Sequence, residues 1–252
     1  MAGQSMNTEP DQSITVLPLG AWEQHGPHLP LQTDTIIASE FAARLEKHAF
    51  AVNINILPTE PIGYSVEHMD FEGSRSLSYD EAISKWLSII EEQVNLGHRK
   101  ILLLNAHGGN SPLLTIVATE ARVKWNALVV VTHWTRFGLP EHLRSTIDKS
   151  IDIHAGDIET SIMLAIAPDL VDRKKVQDYS SQQSEYIDNF KHLRAYGQHA
   201  FGWKMSDLNE NGVVGFATRA KPEKGHQILD HAFKGICELI EDMIAFNMED
   251  LK

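Results

Sequence analysis

Residues 101–112, ILLLNAHGGNSP, hold a short apolar run, a histidine in a glycine-rich turn and a helix start. Turn residues follow the apolar run at once, so we predict a buried strand rather than a helix. Ser111 and Pro112 supply an N-cap residue and a proline at the first helical position. The stretch therefore predicts a strand, a tight turn and a helix, with His107 at the carboxyl end of the strand.

Apolar runs that favour strands and amphipathic stretches that favour helices alternate on both sides of this motif. Ser78 and Glu81, for example, form a capping-box pattern that opens one of the helices. Strands and helices joined by short loops predict an α/β fold whose sheet is at least partly parallel. Residues 174–205 are polar and mixed, and we interpret them as a loop-rich excursion or lid. The predicted strands are 14–19, 51–57, 101–104 and 127–131, and the predicted helices are 34–45, 78–97, 111–125 and 223–243.

The length and composition of the chain suit one hydrophobic core. It has 252 residues, of which 42% are hydrophobic, and no stretch in its middle has the composition of a linker. We therefore predict a single domain over residues 13–252. Residues 1–12 carry no apolar run and are predicted to be a flexible N-terminal tail.

The net charge excludes several classes of partner, and the cysteine count indicates the compartment. The 34 acidic and 22 basic residues give a net charge of -12, which repels phosphate backbones and anionic lipid surfaces. We therefore expect neither a nucleic-acid partner nor a membrane. Cys237 is the only cysteine, so no intrachain disulfide can form, and we predict a reducing compartment, the cytoplasm.

The loop after the first predicted strand, residues 20–30 (GAWEQHGPHLP), carries candidate metal ligands. Glu23 and His25 are two residues apart, so an extended segment would point both side chains the same way. Asp34 follows at the start of the next helix, where the helix dipole favours an ionised carboxylate that can bridge two cations. His28 is either a further ligand or a donor to one.

Two later segments repeat this placement of metal-binding side chains. His107 follows the third predicted strand, and residues 154–161 (HAGDIETS) place His154 and Glu159 at the start of another helix. Ligand sites in such folds lie at the carboxyl ends of the strands, so we expect these side chains to converge. Three carboxylates and several imidazoles suit a divalent ion such as Zn or Mn.

Each of these residues also has an ordinary explanation. A Glu-x-His pair in a loop is usually a surface feature, His107 could be a hydrogen-bonded core histidine, and Asp34 and Glu159 suit the dipole at a helix start. Their recurrence after successive strands is what favours a shared metal site. Six other histidines lack this context and are predicted to be structural or solvated: His133, His142, His192, His199, His226 and His231.

The same segments resemble the three signature blocks of the creatininase, or creatinine amidohydrolase, family. The resemblance extends over about residues 14 to 245. It rests on residues 23–30 (EQHGPHLP) with 33–35 (TDT), 105–110 (NAHGGN) and 154–161, with weaker agreement at 63–68 (GYSVEH), 212–215 (GVVG) and 224–225 (KG).

The resemblance implies a three-layer α/β/α sandwich with a largely parallel central sheet and homo-oligomers, often hexamers. It implies two divalent ions per chain, Zn first, with Mn or Fe as alternatives. Glu23, His25, Asp34 and His107 would be ligands, with Asp34 bridging the ions, and His154 would be the acid/base group near the substrate. By motif position we assign four residues to substrate binding: Tyr64, Ser65, Gly108 and Asn110.

The chain also departs from the family pattern. Creatininases proper have His-Tyr-Glu where this chain has His107-Gly108-Gly109, and that glutamate binds the second metal. Our hypothesis is that Glu159 supplies the missing carboxylate, both as a ligand and as a catalytic group. Creatininases also have a tryptophan shortly before the histidine that corresponds to His154, whereas residues 149–153 read KSIDI. Both departures argue against creatinine as the substrate.

The His-Gly-Gly-Asn form is more similar to relatives that deformylate formamidopyrimidine intermediates or cleave a mycofactocin precursor peptide. We therefore expect a metal-dependent amidohydrolase, a hydrolase of carbon–nitrogen bonds other than peptide bonds. A metal-activated water would cleave a cyclic amide or formamide-type bond in a small-molecule amide. Two alternatives stay open: a metallopeptidase of the mycofactocin-maturation type, and a catalytically inactive metal-binding scaffold with the same fold.

Overall fold

Four parallel strands form the central sheet in a computed structural model that describes residues 13–148 and 150–251. Leu19 lies opposite Asn105, and Asn105 lies opposite His133, so three strands end at the same edge. The segments that follow these three residues are thereby brought together. The strands are β1 (Ile14–Leu19), β2 (Ile54–Ile56), β3 (Lys100–Asn105) and β4 (Leu128–His133), in the order β2-β1-β3-β4.

Helices cover both faces of this sheet. Side chains alternate between the faces of a strand, and Ile14 and Val16 belong to one buried cluster whereas Leu17 and Leu19 belong to another. The first cluster includes residues of α1 (Thr33–Lys47), α4 (Asp157–Ile166) and α7 (Pro222–Ala245), and the second includes residues of α2 (Tyr79–Asn95) and α3 (Ser111–Trp125). The predicted α/β/α sandwich with a parallel sheet is confirmed.

The N-termini of two helices can be compared with the predictions made from local sequence patterns. The Ser78 hydroxyl accepts from the Glu81 N–H and the Glu81 carboxylate accepts from the Ser78 N–H, so the predicted capping box is present. Helix α3 begins at Ser111 itself, so the prediction of Ser111 as the N-cap is wrong by one residue. Asn110 holds that position without a side-chain cap, because its amide is bonded to Gly20 and Tyr64 instead.

The predicted excursion at 174–205 contains more regular structure than its sequence indicates. It includes β5 (Asp178–Tyr179), which pairs antiparallel with β6 (Gly215–Phe216), and α5 (Gln182–Asn189), and α6 (Met205–Leu208) follows. A small apolar cluster that includes Met205, Leu208 and Val214 packs this segment, with Trp203 against it. The segment places Tyr196 and Trp203 over the edge of the sheet at which β1, β3 and β4 end.

Two sequence predictions concern the chain as a whole. The predicted N-terminal tail, residues 1–12, lies outside the described residues, and the single domain over 13–252 stays a prediction. Within 13–148 and 150–251, no helix combines the length and the apolar character that crossing a bilayer requires.

Candidate metal centre

The carboxyl edge of the sheet collects all six residues that the sequence nominated as ligands or catalytic groups. Glu23 and His25 lie in the loop after β1, and Asp34 lies in the first turn of α1. His107 lies directly after β3. His154 and Glu159 lie in the turn before α4 and in its first turn. The side chains of Glu23, His25, Asp34 and His107 are almost fully buried, and those of His154 and Glu159 are 8% and 15% exposed.

Glu23, Asp34 and His107 form one group of candidate ligands. The Nδ1 atom of His107 lies 3.1 Å from Glu23 Oε1 and 3.2 Å from Asp34 Oδ2. One donor atom from each residue lies within 4.8 Å of the other two, which is close enough to share an ion. Two carboxylates and an imidazole are a donor set that Zn and Mn accept.

His25, His154 and Glu159 form a second group by the same distance test. The Nε2 atom of His25 lies 3.9 Å from Glu159 Oε2 and 3.4 Å from Asp34 Oδ1. Asp34 thus turns one carboxylate oxygen toward each group, an arrangement suited to bridging two ions. The resemblance gave His154 an acid/base role, whereas its position here is that of a candidate ligand.

The buried polar atoms of this cluster provide a test of whether cations fit. Within the described part of the chain, Glu23 Oε2, His25 Nε2 and Asp34 Oδ2 are buried and have no hydrogen-bond partner. Buried polar atoms without partners are rare in proteins because desolvating them costs free energy. A divalent cation bound by these atoms would offset that cost, so the residues fit a metal site.

The pKa values of the cluster show the same excess of negative charge. Burial alone would lower the pKa of His25, but Asp34, Glu159 and Glu23 outweigh burial and raise it to about 9. Burial likewise opposes protonation of His107, yet Glu23 and Asp34 raise its pKa well above the usual value. The carboxylates therefore hold protons on two imidazoles, and a bound cation would replace those protons.

Glu159 and His154 are shifted mainly by their removal from water. Burial raises the pKa of Glu159 to about 7, and His25 offsets this only in part. Burial and the neighbouring His25 lower the pKa of His154 well below its usual value. Near neutral pH Glu159 is therefore poised between its two protonation states, while His154 is neutral.

Three imidazoles are oriented by hydrogen bonds on the side away from the cluster. His25 Nδ1 donates to the Glu23 carbonyl at 3.0 Å, and His107 Nε2 donates to the Tyr64 carbonyl at 2.9 Å. His154 Nε2 donates to the Gln24 carbonyl at 2.7 Å. When each ring is neutral, as it would be with a cation bound, these backbone acceptors assign its tautomer and leave the other nitrogen as a lone pair that faces the cluster.

The turn before α4 is held in an unusual conformation. Ala155 has a φ of 53°, in the left-handed region that residues with a Cβ rarely adopt. Its N–H donates to Glu159 Oε2 at 2.6 Å, and the carboxylate of Asp152 accepts from the Asp157 N–H at 2.8 Å. The turn therefore fixes Glu159 relative to His154.

The four residues assigned to substrate binding are divided by the structure. Gly108 lines the cavity above the cluster, whereas Tyr64, Ser65 and Asn110 are not among the described residues that line it. Ser65 Oγ lies 3.2 Å from His107 Nε2, and Asn110 bonds the Tyr64 N–H. These three residues lie behind the cluster, and their assignment to the substrate stays a prediction. His28, which the sequence analysis gave as a ligand or a donor to one, forms a hydrogen bond between its Nε2 and the Thr160 hydroxyl at 2.9 Å.

A cavity of about 500 Å³ opens over the two ligand groups. Its walls include Trp134, Tyr196 and Trp203, and Arg136 lies among the lining residues. The size and the aromatic walls are typical of a small-molecule site.

Several lining residues were missed by the sequence analysis: Glu67, His68, His133 and Asp152. His68 Nε2 lies only 3.5 Å from Glu23 Oε1, and Glu67 Oε1 lies 3.7 Å from His107 Nε2. Both residues lie in the stretch 63–68 that contributed to the family resemblance, which was the available signal. His133, predicted to be structural, does bond Thr135 in the turn after β4, but it also reaches the cavity.

Comparison with known proteins identifies relatives over nearly the whole chain. The family model for creatininase, described as creatinine amidohydrolase, matches residues 4–240. The mycofactocin precursor peptide peptidase of Mycolicibacterium smegmatis is 27% identical over 241 residues, which cover 90% of this chain and 84% of that protein. The creatinine amidohydrolase of Pseudomonas putida is 26% identical, over 91% of this chain and 89% of that protein.

A formamidopyrimidine relative and solved structures agree with this result. The 2-amino-5-formylamino-6-ribosylaminopyrimidin-4(3H)-one 5'-monophosphate deformylase of Methanothermus fervidus is 26% identical, over 95% of this chain and 88% of that protein. A crystal structure of creatinine amidohydrolase has a TM-score of 0.75 at 25% identity and covers 94% of this chain and 92% of that one. A mutant creatininase of the Zn-Zn type has a TM-score of 0.72 at 26% identity and covers 92% and 91%. The chain therefore belongs to the creatininase family, and it is a hydrolase.

Proposed function

We propose that this protein hydrolyses a carbon–nitrogen bond other than a peptide bond, in a small cyclic amide or formamide, at a centre with two divalent ions. The observation that carries the proposal is the position of Asp34, whose two carboxylate oxygens face two separate groups of buried ligands. Single-ion sites have no need of such a carboxylate. The creatinine amidohydrolase and deformylase relatives support the bond class.

The two groups of residues would each hold one ion. Glu23, Asp34 and His107 suit one position, and His25 and Glu159, with the second oxygen of Asp34, suit the other. When bound, such ions lower the pKa of a water molecule and polarise the carbonyl of a substrate. We propose Zn as the favoured metal, with Mn or Fe as alternatives. One solved creatininase is described as the Mn form and a mutant creatininase as the Zn-Zn type.

Within this centre, Glu159 and His154 are the candidates for moving protons. Without a cation Glu159 has a pKa of about 7, and a cation beside it would lower that value, so the ionised carboxylate would be available near neutral pH to accept a proton. Its Oε2 is held by the Ala155 N–H, so its position is fixed before the substrate arrives. The predicted donation of a proton by His154 to the leaving nitrogen is less favoured, because its N–H is committed to the Gln24 carbonyl.

The cavity favours a small substrate over a peptide. A volume of about 500 Å³ walled by Trp134, Tyr196 and Trp203 accommodates a drug-sized molecule. Aromatic walls exclude bulk water and pack against a planar ring. A peptidase generally needs a groove that accommodates an extended chain on both sides of the scissile bond.

The proposal is tested by metal reconstitution combined with a substrate screen. The chelated protein, the Zn-loaded protein and the Mn-loaded protein would be assayed against creatinine, other cyclic amides, aromatic formamides and short peptides. We expect no turnover after chelation and restored turnover of an amide or formamide with Zn or Mn. The matched control is Asp34→Asn, which preserves shape but removes the bridging charge. Turnover that survives chelation, or cleavage of peptides alone, would overturn the proposal.

The inactive scaffold is separated from an enzyme by the number of ions. About two ions per chain by elemental analysis supports catalysis, whereas one or none supports a scaffold. The cytoplasm as compartment and a homo-oligomer, a hexamer by family resemblance, also remain proposals. Light scattering on the metal-loaded protein measures the size of the assembly.

A further inference from the structure

His68 is a buried histidine of the cavity that neither ligand group requires. Its Nε2 atom lies 3.5 Å from Glu23 Oε1, and its ring centroid lies 4.5 Å from that of His154. By distance alone, Glu23, His68 and His154 could hold a further ion, since one donor atom of each lies within 4.8 Å of the others. Whether His68 can bind such an ion depends on which of its two ring nitrogens carries the proton.

The orientation of Gln24 determines which nitrogen of His68 carries that proton. Gln24 Oε1 accepts from the Gly26 N–H at 2.8 Å, so the amide cannot be reversed without setting two donors against each other. The amide nitrogen of Gln24 therefore faces His68 Nδ1, at 2.9 Å. An amide nitrogen can only donate, so His68 Nδ1 accepts and the proton of the neutral ring lies on Nε2.

This arrangement is opposite to that of the three candidate ligands. His25, His107 and His154 donate their outer N–H to backbone carbonyls, and each ring in its neutral form presents a lone pair to the cluster. His68 accepts on its outer side and presents an N–H. A protonated nitrogen cannot bind a cation, so His68 is unsuited to be a ligand.

We propose that His68 is a catalytic hydrogen-bond donor, held in its Nε2–H tautomer by Gln24, that stabilises negative charge developing on the carbonyl oxygen of the amide substrate. The proposal rests on the proposed amide hydrolysis and adds a residue to it. Gln24 is a positioning residue, since it acts through His68. The Trp203 ring also supports the imidazole, edge to face at 6.4 Å and 82°. A donor fixed before the reaction needs no reorganisation as charge develops.

The tautomer is tested directly on the Zn-loaded protein by NMR of ¹⁵N-labelled histidine side chains. We expect the proton of His68 on Nε2 and no coordination shift of either of its nitrogens when Zn is added. Coordination shifts are expected at His25 Nε2 and His107 Nδ1. A coordination shift at His68, or a proton on its Nδ1, would overturn the proposal without involving turnover.

Substitutions of His68 separate a donor from a ligand or a packing role. His68→Gln places an amide N–H near the position of Nε2, whereas His68→Asn places one near Nδ1. We expect both variants to retain about two ions per chain. We expect kcat to fall about 10²- to 10³-fold in His68→Asn and His68→Ala, with a smaller loss in His68→Gln. Loss of an ion, or equal loss in the Gln and Asn variants, would contradict the donor role.

Gln24→Glu tests the positioning role. One carboxylate oxygen can still accept from Gly26, while the other now faces His68 Nδ1 and requires a proton there. We expect the NMR tautomer of His68 to switch to Nδ1–H and kcat to fall with it. An unchanged tautomer in this variant would refute the role of Gln24. If no amide is hydrolysed in the screen, the catalytic role fails together with the proposed function, whereas the tautomer is decided by NMR alone.

Discussion

A Cβ atom added to Gly109 would lie 2.6 Å from Oε1 of Glu67, so the glutamate side chain fills the space that a residue-109 side chain would need. The same atom would also lie 2.5 Å from the backbone oxygen of Tyr64, which cannot rotate away. Creatininases proper have a glutamate at this place in their motif, by the resemblance described above. Here a carboxylate from the neighbouring loop takes up that space.

We expect Gly109→Ala to displace Glu67 and disturb His107, because overpacking of this kind costs about 1 to 3 kcal/mol. Weaker metal binding and a lower urea midpoint should both be measurable. Gly108→Ala is the matched control, since nothing lies within 4 Å of its added Cβ. Equal effects of the two substitutions on stability and ion content would contradict the crowding at position 109.

The two ligand groups should lose their ions separately. We expect His107→Ala and Glu159→Gln each to retain about one ion per chain. Asp34→Ala should retain fewer ions than either of them. Elemental analysis after gel filtration measures this. His226→Ala, at an exposed position of α7, is the control and should keep the wild-type ion count. Full occupancy in Glu159→Gln would refute the hypothesis that Glu159 supplies the missing carboxylate.

The metal-free protein should become less stable as the pH rises from 7 to 9. The pKa of His25 is about 9 in the folded chain against about 6.5 when unfolded, so the folded state holds the extra proton in this window. Its stabilising contribution is complete below the unfolded pKa and is lost as pH rises through the folded pKa. His107, whose pKa is also raised, acts in the same direction. The slope for one proton is at most about 1.4 kcal/mol per pH unit.

Urea unfolding in excess chelator at pH 7, 8 and 9 measures this slope. His25→Gln, which cannot be protonated, should flatten it. The Zn-loaded protein should not show the decline, because Zn binds the unprotonated imidazoles and competes with protons. A metal-free protein that gains stability over this range would contradict the assignment of the excess protons to the cluster.

Asp152 should affect the site through the start of α4. Its half-buried carboxylate accepts from the Asp157 N–H, and the loss of water around it raises the pKa of Asp152 to about 7. We expect Asp152→Ala to destabilise the fold by about 0.5 to 2 kcal/mol, as the loss of a helix cap does, and to weaken the ion held by Glu159. Asp169→Ala, at an exposed position, is the control. Unaltered Zn affinity in Asp152→Ala would show that the turn is held by other contacts.

Much of the fold could be predicted because the first half of the chain combines clear local signals. The apolar runs at β1 and β3 are fully buried strands, and the capping box at Ser78 opens α2 as expected. Helix α7 differs from its predicted bounds by two residues or fewer at each end. Residues 174–205 were harder, because α5 is polar and β5 has only two residues, so neither has a periodic pattern.

The site was predictable where ligands follow strands and harder to predict where they lie in loops. Glu23, His25, Asp34 and His107 stand next to β1, α1 or β3, so the parallel sheet alone brings them together. His68 lies in a short helical turn between β2 and α2, and no local pattern assigns that turn to the cavity. The direction of each imidazole likewise depends on backbone carbonyls distant in sequence, such as Gln24 for His154.

The candidate ligands of one ion stand as far apart along the chain as His25 and Glu159. A cation held by both would act as a reversible cross-link, and joining positions more than 100 residues apart restricts the unfolded chain by about 5 kcal/mol when the link is a disulfide. The ion would then govern the lifetime of the protein as well as its chemistry. In a cell short of zinc or manganese, this protein would be degraded faster, so its abundance would follow the supply of the metal.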